Sequence, residues 1–279
     1  MILTLDPSRR INGYEVLTGY VTAPSTTLTA LTMASGDSLT IRNDAEQAWL
    51  LNAWTDAQAN AGQLQIKSPR MHDGVRAITV NDIISEVYPL LPYGSPQVLF
   101  PQDTLQVLLS GSATGSDLVT ACLLVAYKRL AGIKARLITY DEFIQLSTGQ
   151  EMWSENTLAL GTAGGYSGSE AINAEYDNWK ANEDYALTGF LVNVEAACIG
   201  WRGIDTGNLR VAGPANETNK DVTREWFINL AKTTGLNMIP VFNGANKSGI
   251  YIDGAQDENG TDVLVNSCFV QLRERVQLP

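Results

Sequence analysis

Along much of the chain apolar and polar residues alternate, which is the period of a strand buried on one face. Leu39 and Ile41 alternate with Thr40 and Arg42, Leu64 and Ile66 with Gln63, Gln65 and Lys67, and Leu105 and Val107 flank Gln106. In the second half Leu209 and Val211 flank Arg210, Ile250 and Ile252 flank Tyr251, and Val263 and Val265 flank Leu264. The segment Leu118–Tyr127 is apolar nearly throughout, a pattern that a short helix shares. Its counterpart around Cys268 is rich in Val and Phe, so both are predicted to be strands at the centre of a sandwich. Turn formers separate these runs at Ser35-Gly-Asp37, Asn60-Ala-Gly62, Ser110-Gly111, Gly244–Gly249 and Asp257-Glu-Asn-Gly260. A parallel α/β sheet would need a helix after each strand, and the pattern supplies none. Short, regularly punctuated strands predict an all-β chain of sandwich or jelly-roll type.

Helical signals are few. Asp221–Lys232 has a capping residue in Asp221 and a stop at Gly235. A shorter helix is predicted over Val80–Tyr88, opening near Asn81 and ending before Pro89, and another over Ser169–Asn182.

A repeat organises these elements. Gly62-Gln-Leu-Gln-Ile-Lys-Ser-Pro69 matches Gly207-Asn-Leu-Arg-Val-Ala-Gly-Pro214 at an offset of 145 residues, and Leu105 and Val107 match Ile250 and Ile252 at the same offset. Trp54 matches Trp201 at 147, and Val119-Thr-Ala-Cys122 matches Val265-Asn-Ser-Cys268 at 146. The expected organisation is therefore a first sandwich over residues 1–135, a linker with a loop and a helix over 136–182, and a second sandwich over 183–279. Within the linker, Thr162–Gly168 is Gly/Ser-rich and reads as a solvated loop.

Composition narrows the function classes. The chain of 279 residues is 44% hydrophobic and 18% charged, so a packed core is expected and disorder is not. Its 19 Lys and Arg against 30 Asp and Glu give a net charge of −11, with no basic tail or stripe. Direct, charge-driven or sequence-specific nucleic-acid binding is therefore not expected. No apolar run reaches the ~18 residues of a membrane-spanning helix, and MILTLDPSRR lacks the order of a secretory signal. Three widely spaced cysteines, Cys122, Cys198 and Cys268, read as buried thiols and fit synthesis in the cytoplasm.

Candidate chemistry is sparse. The one histidine, His72, cannot supply the several imidazoles of a catalytic zinc or non-haem iron site. Paired with Asp73 it could act as acid and base, yet a loop histidine is more often simply exposed. The adjacent carboxylates Asp141-Glu142 and Asp257-Glu258 lack the spacing of a glycosidase pair. Asp253–Asp262 is oxygen-rich, as calcium requires, without EF-hand spacing, and reads first as a hairpin loop. Gly161–Gly165 lacks the lysine of a phosphate loop. Trp49, Trp54, Trp201 and Trp226 read as core, while Trp153 and Trp179 stay open to sugar stacking. No catalytic residue, cofactor site or metal site is assigned, and the chain is read as a non-enzyme.

Two tandem jelly rolls around the repeat of Gly62–Pro69 and Gly207–Pro214, each with a helix in a long connection, resemble the double jelly-roll major capsid proteins of tailless icosahedral viruses and bacteriophages, many with an internal membrane. The resemblance is architectural and covers nearly the whole chain. It implies a structural coat protein of the virion capsid that forms pseudo-hexameric homotrimers. It also implies contacts with lattice neighbours, with other capsid or vertex proteins and with an internal lipid membrane, and it implies no cofactor. The segment Met1–Tyr14 would then be a peripheral arm or a first strand. The competing readings are a spike, vertex or carbohydrate-binding sandwich protein, and a glycan hydrolase on a duplicated sandwich.

Overall fold

The computed structural model describes residues 10–21, 27–56, 62–70, 78–83, 89–91, 96–111, 118–159, 164–172, 179–218, 220–255 and 262–276. The first half contributes β1 (Gly13–Val21), β2 (Thr29–Ala30), β3 (Thr32–Met33), β4 (Ala45–Asp56), β5 (Gly62–Lys67), β6 (Ile78–Ile83), β7 (Gln97–Leu99), β8 (Gln106–Ser110) and β9 (Val119–Leu130). Next come β10 (Leu137–Ile138), α1 (Tyr140–Leu146), β11 (Ser147–Ala159) and β12 (Glu170–Ala171). The rest of the chain forms β13 (Asp184–Val192), β14 (Ala196–Arg202), β15 (Val211–Ala215), α2 (Lys220–Arg224), α3 (Trp226–Thr234), β16 (Ile239–Asn243), β17 (Tyr251–Ala255) and β18 (Asp262–Leu272). Segment 136–182, expected as a linker, thus holds three strands, β10, β11 and β12, that join the sheets of the second half.

The strands build four antiparallel sheets, here numbered by layer. Sheet I is β2-β8-β5-β6, sheet II is β3-β1-β9-β4-β7, sheet III is β12-β17-β14-β15 and sheet IV is β10-β16-β13-β18-β11. The second half repeats the strand order of the first. β1-β9-β4-β7 in sheet II corresponds to β11-β18-β13-β16 in sheet IV, and β2-β8-β5-β6 in sheet I to β12-β17-β14-β15 in sheet III. In each half the pairings are nested: first strand with last, second with next to last, and so inward.

The correspondence sorts the sequence matches. Leu105/Ile250 and Val119–Cys122/Val265–Cys268 fall on or beside equivalent strands, β8 with β17 and β9 with β18. The other two matches do not. Trp54 lies on β4 and Trp201 on β14, strands of non-equivalent sheets. Gly62 opens β5, whereas Gly207 sits before β15 with φ of 64°. The left-handed turn there favours glycine for its backbone, so the shared G-x-L pattern arises from two different causes.

One core of aliphatic side chains, including Leu17, Leu50, Leu64, Ile66, Val107 and Leu123, lies between sheets I and II. A second, aromatic-rich core holds Tyr185, Phe190, Trp201, Phe242 and Phe269 between sheets III and IV. That second core runs on into the first half through Tyr14, Val16, Trp54, Cys122, Leu124 and Ala126. These side chains stand on the face of sheet II turned away from sheet I, and they meet sheet III. Sheet II is therefore buried on both faces. This explains why β9 is apolar almost end to end: the period of two vanishes when neither face meets water.

Three helical expectations are revised. Over Val80–Tyr88 the described part is strand, with Val80 opposite Leu64 and Ile78 opposite Ile66, because the β-branched run suits an extended chain; residues 84–88 lie outside the described residues. In Ser169–Asn182, Glu170–Ala171 pairs with β17 and Ala181–Asn182 is a turn; residues 173–178 lie outside the described residues. The Asp221–Lys232 helix forms as two pieces, with Asp221 inside the first turn of α2. Gly235 ends α3 at φ 69°, donating its N–H to the Ala231 carbonyl. Both pieces pack on β13.

Candidate functional site

The most elaborate polar structure in the molecule lies where sheets II and III meet. Trp54 is fully buried and donates its indole N–H to the Ala197 carbonyl at 2.7 Å. Its ring meets Trp226 edge to face at 5.7 Å. A donor this deep would cost about 1–3 kcal/mol unpaired, so the bond fixes how β4 lies over β14.

Beside this lies an ionic cluster assembled from both halves. Arg210 donates from Nε to Asp253 at 2.8 Å and from Nη2 to the same carboxylate at 3.1 Å. It also reaches Asp37 of the first half at 3.2 Å. Its guanidinium carbon lies 3.5 Å from the centre of the Tyr166 ring, a stacked cation–π contact. The Tyr166 hydroxyl donates to Asp37 at 2.7 Å, and the Thr18 backbone N–H donates to the same oxygen at 2.7 Å. Arg202 approaches Asp253 from the rim at 3.4 Å. Gly200 makes room for this, because a Cβ there would come within 2.5 Å of the Arg210 side chain. The backbone joins as well: Val16 N–H donates to the Arg210 carbonyl at 3.1 Å.

Burial pushes the Asp37 carboxyl above its usual range, against its two hydrogen bonds and the nearby Arg210. Burial alone would lower Arg210, but Tyr166, Asp253 and Asp37 outweigh it and hold the guanidinium above its ordinary value. Two thiols adjoin the cluster from opposite sides. Thr18 Oγ1 lies 3.4 Å from Cys122 Sγ and 3.5 Å from Cys198 Sγ. Burial pushes Cys122 up, whereas its hydrogen bond to Cys198 lowers the latter.

A second network lies within the second half, where the chain enters it. Arg136 forms a two-bond pair with Asp184, donates to the Val276 carbonyl at 2.8 Å and lies 3.6 Å from Asp205. Asn243 donates to Asp184 at 2.8 Å. The start of the described chain is held too. Ile11 exchanges two hydrogen bonds with Asn237, the Tyr14 hydroxyl donates to the Met238 carbonyl at 2.8 Å, and Arg10 pairs with Glu142.

The sequence-predicted candidates are placed differently. His72, Asp73, Asp257 and Glu258 lie outside the described residues. Glu142 forms the capping box of α1 with Thr139. Asp253 is committed to two arginines, which removes it from any calcium loop. Trp179 is buried, 4.3 Å from Tyr185 and 4.8 Å from Phe269 between ring centres, and is not open to a sugar. Trp153 is half-buried on the outer face of sheet IV. Among the described residues, no group of three or more His, Cys, Asp or Glu is placed to hold a metal ion. Alternation marked Arg210 as solvent-facing, and Asp37 and Tyr166 fell in turn and loop segments. The signal for all three was their charge or hydroxyl, which only the sheet-to-sheet contact makes legible.

No family model matches the chain, and no curated protein matches it. Among solved structures it is similar to the crystal structure of the PBSX exported protein XepA, with 11% identity over 91% of this chain and 86% of that one, at a TM-score of 0.26.

Proposed function

We propose that this chain is a structural coat protein of a tailless icosahedral virus, built as a double jelly roll, and that it acts by self-association. The observation that carries this reading is the nested pairing of eight strands, found twice in the same order. That is how a jelly roll folds a long ribbon back on itself. The seam supports the reading in a second way. Trp54–Ala197 and the Arg210 cluster hold two similar modules in one fixed orientation. An enzyme needs a site for a reacting atom; a lattice component needs its two edges at a constant angle.

On this reading three copies give six similar modules around a ring, in a capsid within the virion. Other capsid or vertex proteins and an internal lipid layer are further partners. Among the described residues no helix is long and apolar enough to cross a membrane. Light scattering after gel filtration tests the proposal. The expected mass is three times the 30.2 kDa of the chain, or that of larger shells. A strict monomer at high concentration overturns it. Trp153 favours a second reading, a sugar-binding sandwich, which glycan binding by such a monomer would support.

A further inference from the structure

Each half brings a thiol to the seam. Cys122 stands on β9 of sheet II, on the side turned to sheet III, between Thr18 of β1 and Trp54 of β4. Cys198 stands on β14 of sheet III. The pairing of β14 with β15 skips from Ala196 to Ile199, so Ala197 and Cys198 form a bulge. Pro214 lies across from the bulge and has no N–H to offer it. The Ala197 carbonyl turns instead to the other half, where the Trp54 indole and the Cys122 thiol donate to it at 2.7 and 3.5 Å. That contact carries the neighbouring Cys198 against Cys122.

The two sulfurs are close. Thr18 Oγ1 lies 3.4 Å from Cys122 Sγ and 3.5 Å from Cys198 Sγ, and the thiols hydrogen-bond to each other. β9 and β14 approach within 8 Å, Cα to Cα, whereas packed sheets usually stand about 10 Å apart. A disulfide spans about 4.4–6.8 Å between Cα atoms. Both cysteines are free thiols, and they and Thr18 are fully buried. Thr18 keeps a partner when the sulfurs draw together, because the Tyr166 hydroxyl donates to it at 2.9 Å. Cys268, the equivalent of Cys122 in the second half, has a different neighbour. The backbone of Thr223 and Arg224 packs on Gly189 beside it. Its hollow is lined by Glu151, Arg224 and Ile228 among others, with no second cysteine.

We infer that Cys122 and Cys198 form a redox-sensitive site, a reversible disulfide that joins the two modules covalently across the seam. The oxidant is a peroxide, small enough to follow water between the sheets when the seam loosens. The hydrogen bond from Cys122 outweighs burial and favours the Cys198 thiolate, and Arg210 adds to this. Burial keeps Cys122 protonated. The Cys198 thiolate attacks one peroxide oxygen. The O–O bond breaks, the sulfur becomes a sulfenic acid, and the departing hydroxide takes up the proton that Cys198 released. Cys122 Sγ then attacks the Cys198 sulfur. The S–S bond forms, the S–O bond breaks, and hydroxide leaves with the Cys122 proton as a second water. Two thiols give up two electrons, and one peroxide is reduced to two waters. A dithiol reductant reverses the bridge by exchange. The bridge closes a loop of more than seventy residues, so it constrains the unfolded chain strongly.

The test uses the full chain carrying Cys268→Ser, which removes the one thiol outside the seam. Peroxide is expected to consume both remaining thiols of the folded protein and to remove two hydrogens from its intact mass. The peptides holding Cys122 and Cys198 are expected to travel together until reduced. The urea midpoint is expected to rise by about 1 M and to return after dithiothreitol. Adding Cys122→Ser or Cys198→Ser is expected to abolish that rise; where such a variant fails to fold, the peptide map decides alone. A folded chain that keeps both thiols in excess peroxide overturns the proposal. So does one that gains oxygen instead of losing hydrogen, or that links chain to chain on a non-reducing gel. A bridge that forms yet lowers the urea midpoint overturns its role in holding the modules together.

Discussion

β9 and β18 are equivalent strands at the centres of equivalent sheets, yet their surroundings differ. From Val119 to Tyr127 every residue of β9 is buried. Over Asp262–Ser267, β18 instead alternates, with Val263, Val265 and Ser267 inside and Asp262, Leu264 and Asn266 turned outward. Strand order is identical, so the difference comes from the neighbour. Sheet II has sheet III against its second face, whereas sheet IV has α2 and α3 packed on β13 and, among the described residues, no sheet over the outward side of Asp262–Ser267. At equivalent positions Thr120 is buried where Asn266 is half-buried, whereas Leu124 and Ala126 and their equivalents Val270 and Leu272 are buried in both sheets.

Four tests would break or sharpen this contrast. The largest effect is expected from Arg210→Ala, which leaves Asp37 and Asp253 without their shared cation. Breaking a buried pair costs about 3–5 kcal/mol, and Arg202 at the rim replaces little of it; urea unfolding gives the number. Leu124→Ala, in the seam, should lose about 2–5 kcal/mol. The same change at outward-facing Leu264 should stay within about 0.5 kcal/mol in the unassociated chain. Equal losses at the two positions would end the argument from neighbours. Third, the Thr120 hydroxyl is buried in sheet II with no hydrogen-bond partner. Thr120→Val is expected to raise stability by about 1 kcal/mol, since it removes an unsatisfied group with little change of shape.

The smallest effect is a slope. Burial raises the carboxyls of Asp37 and Glu15 above their ordinary values. Such a carboxyl binds its proton more tightly in the folded chain than in the unfolded one. Its contribution to stability therefore declines as pH rises from the ordinary carboxylate range, about 4, through the raised value, and is constant above it. Comparing the urea midpoints of wild type and Asp37→Asn across that window isolates the effect. The wild type should lose more stability with rising pH than the variant does.

The all-β class was legible because Leu64/Ile66, Ile250/Ile252 and Val263/Val265 alternate on strands with one wet face. The apolar run of β9 was legible as a central strand through its match to β18. β11 was not legible as a strand. It is an edge strand paired only with β18 among the described residues, and its sequence STGQEMWSENTLA is too polar to stand out from a linker. The seam was legible in no single segment. Asp37, Tyr166, Arg210 and Asp253 lie up to 216 residues apart, and each by itself reads as a turn or surface residue. Their charges make sense only once two sheets are laid face to face.

The bonds from Ile11 to Asn237 and from Tyr14 to Met238 also set an order of events during synthesis. β1 and the residues just before it are secured by residues that emerge more than two hundred positions later. Until then Tyr14, Val16 and Leu124 have no sheet III to cover them, and the nascent first module must wait with that face open to chaperones. A truncated chain would keep the face open permanently. Only a chain extended through β17 closes its own seam, so the same contact that orients the modules also sets finished chains apart from shorter ones.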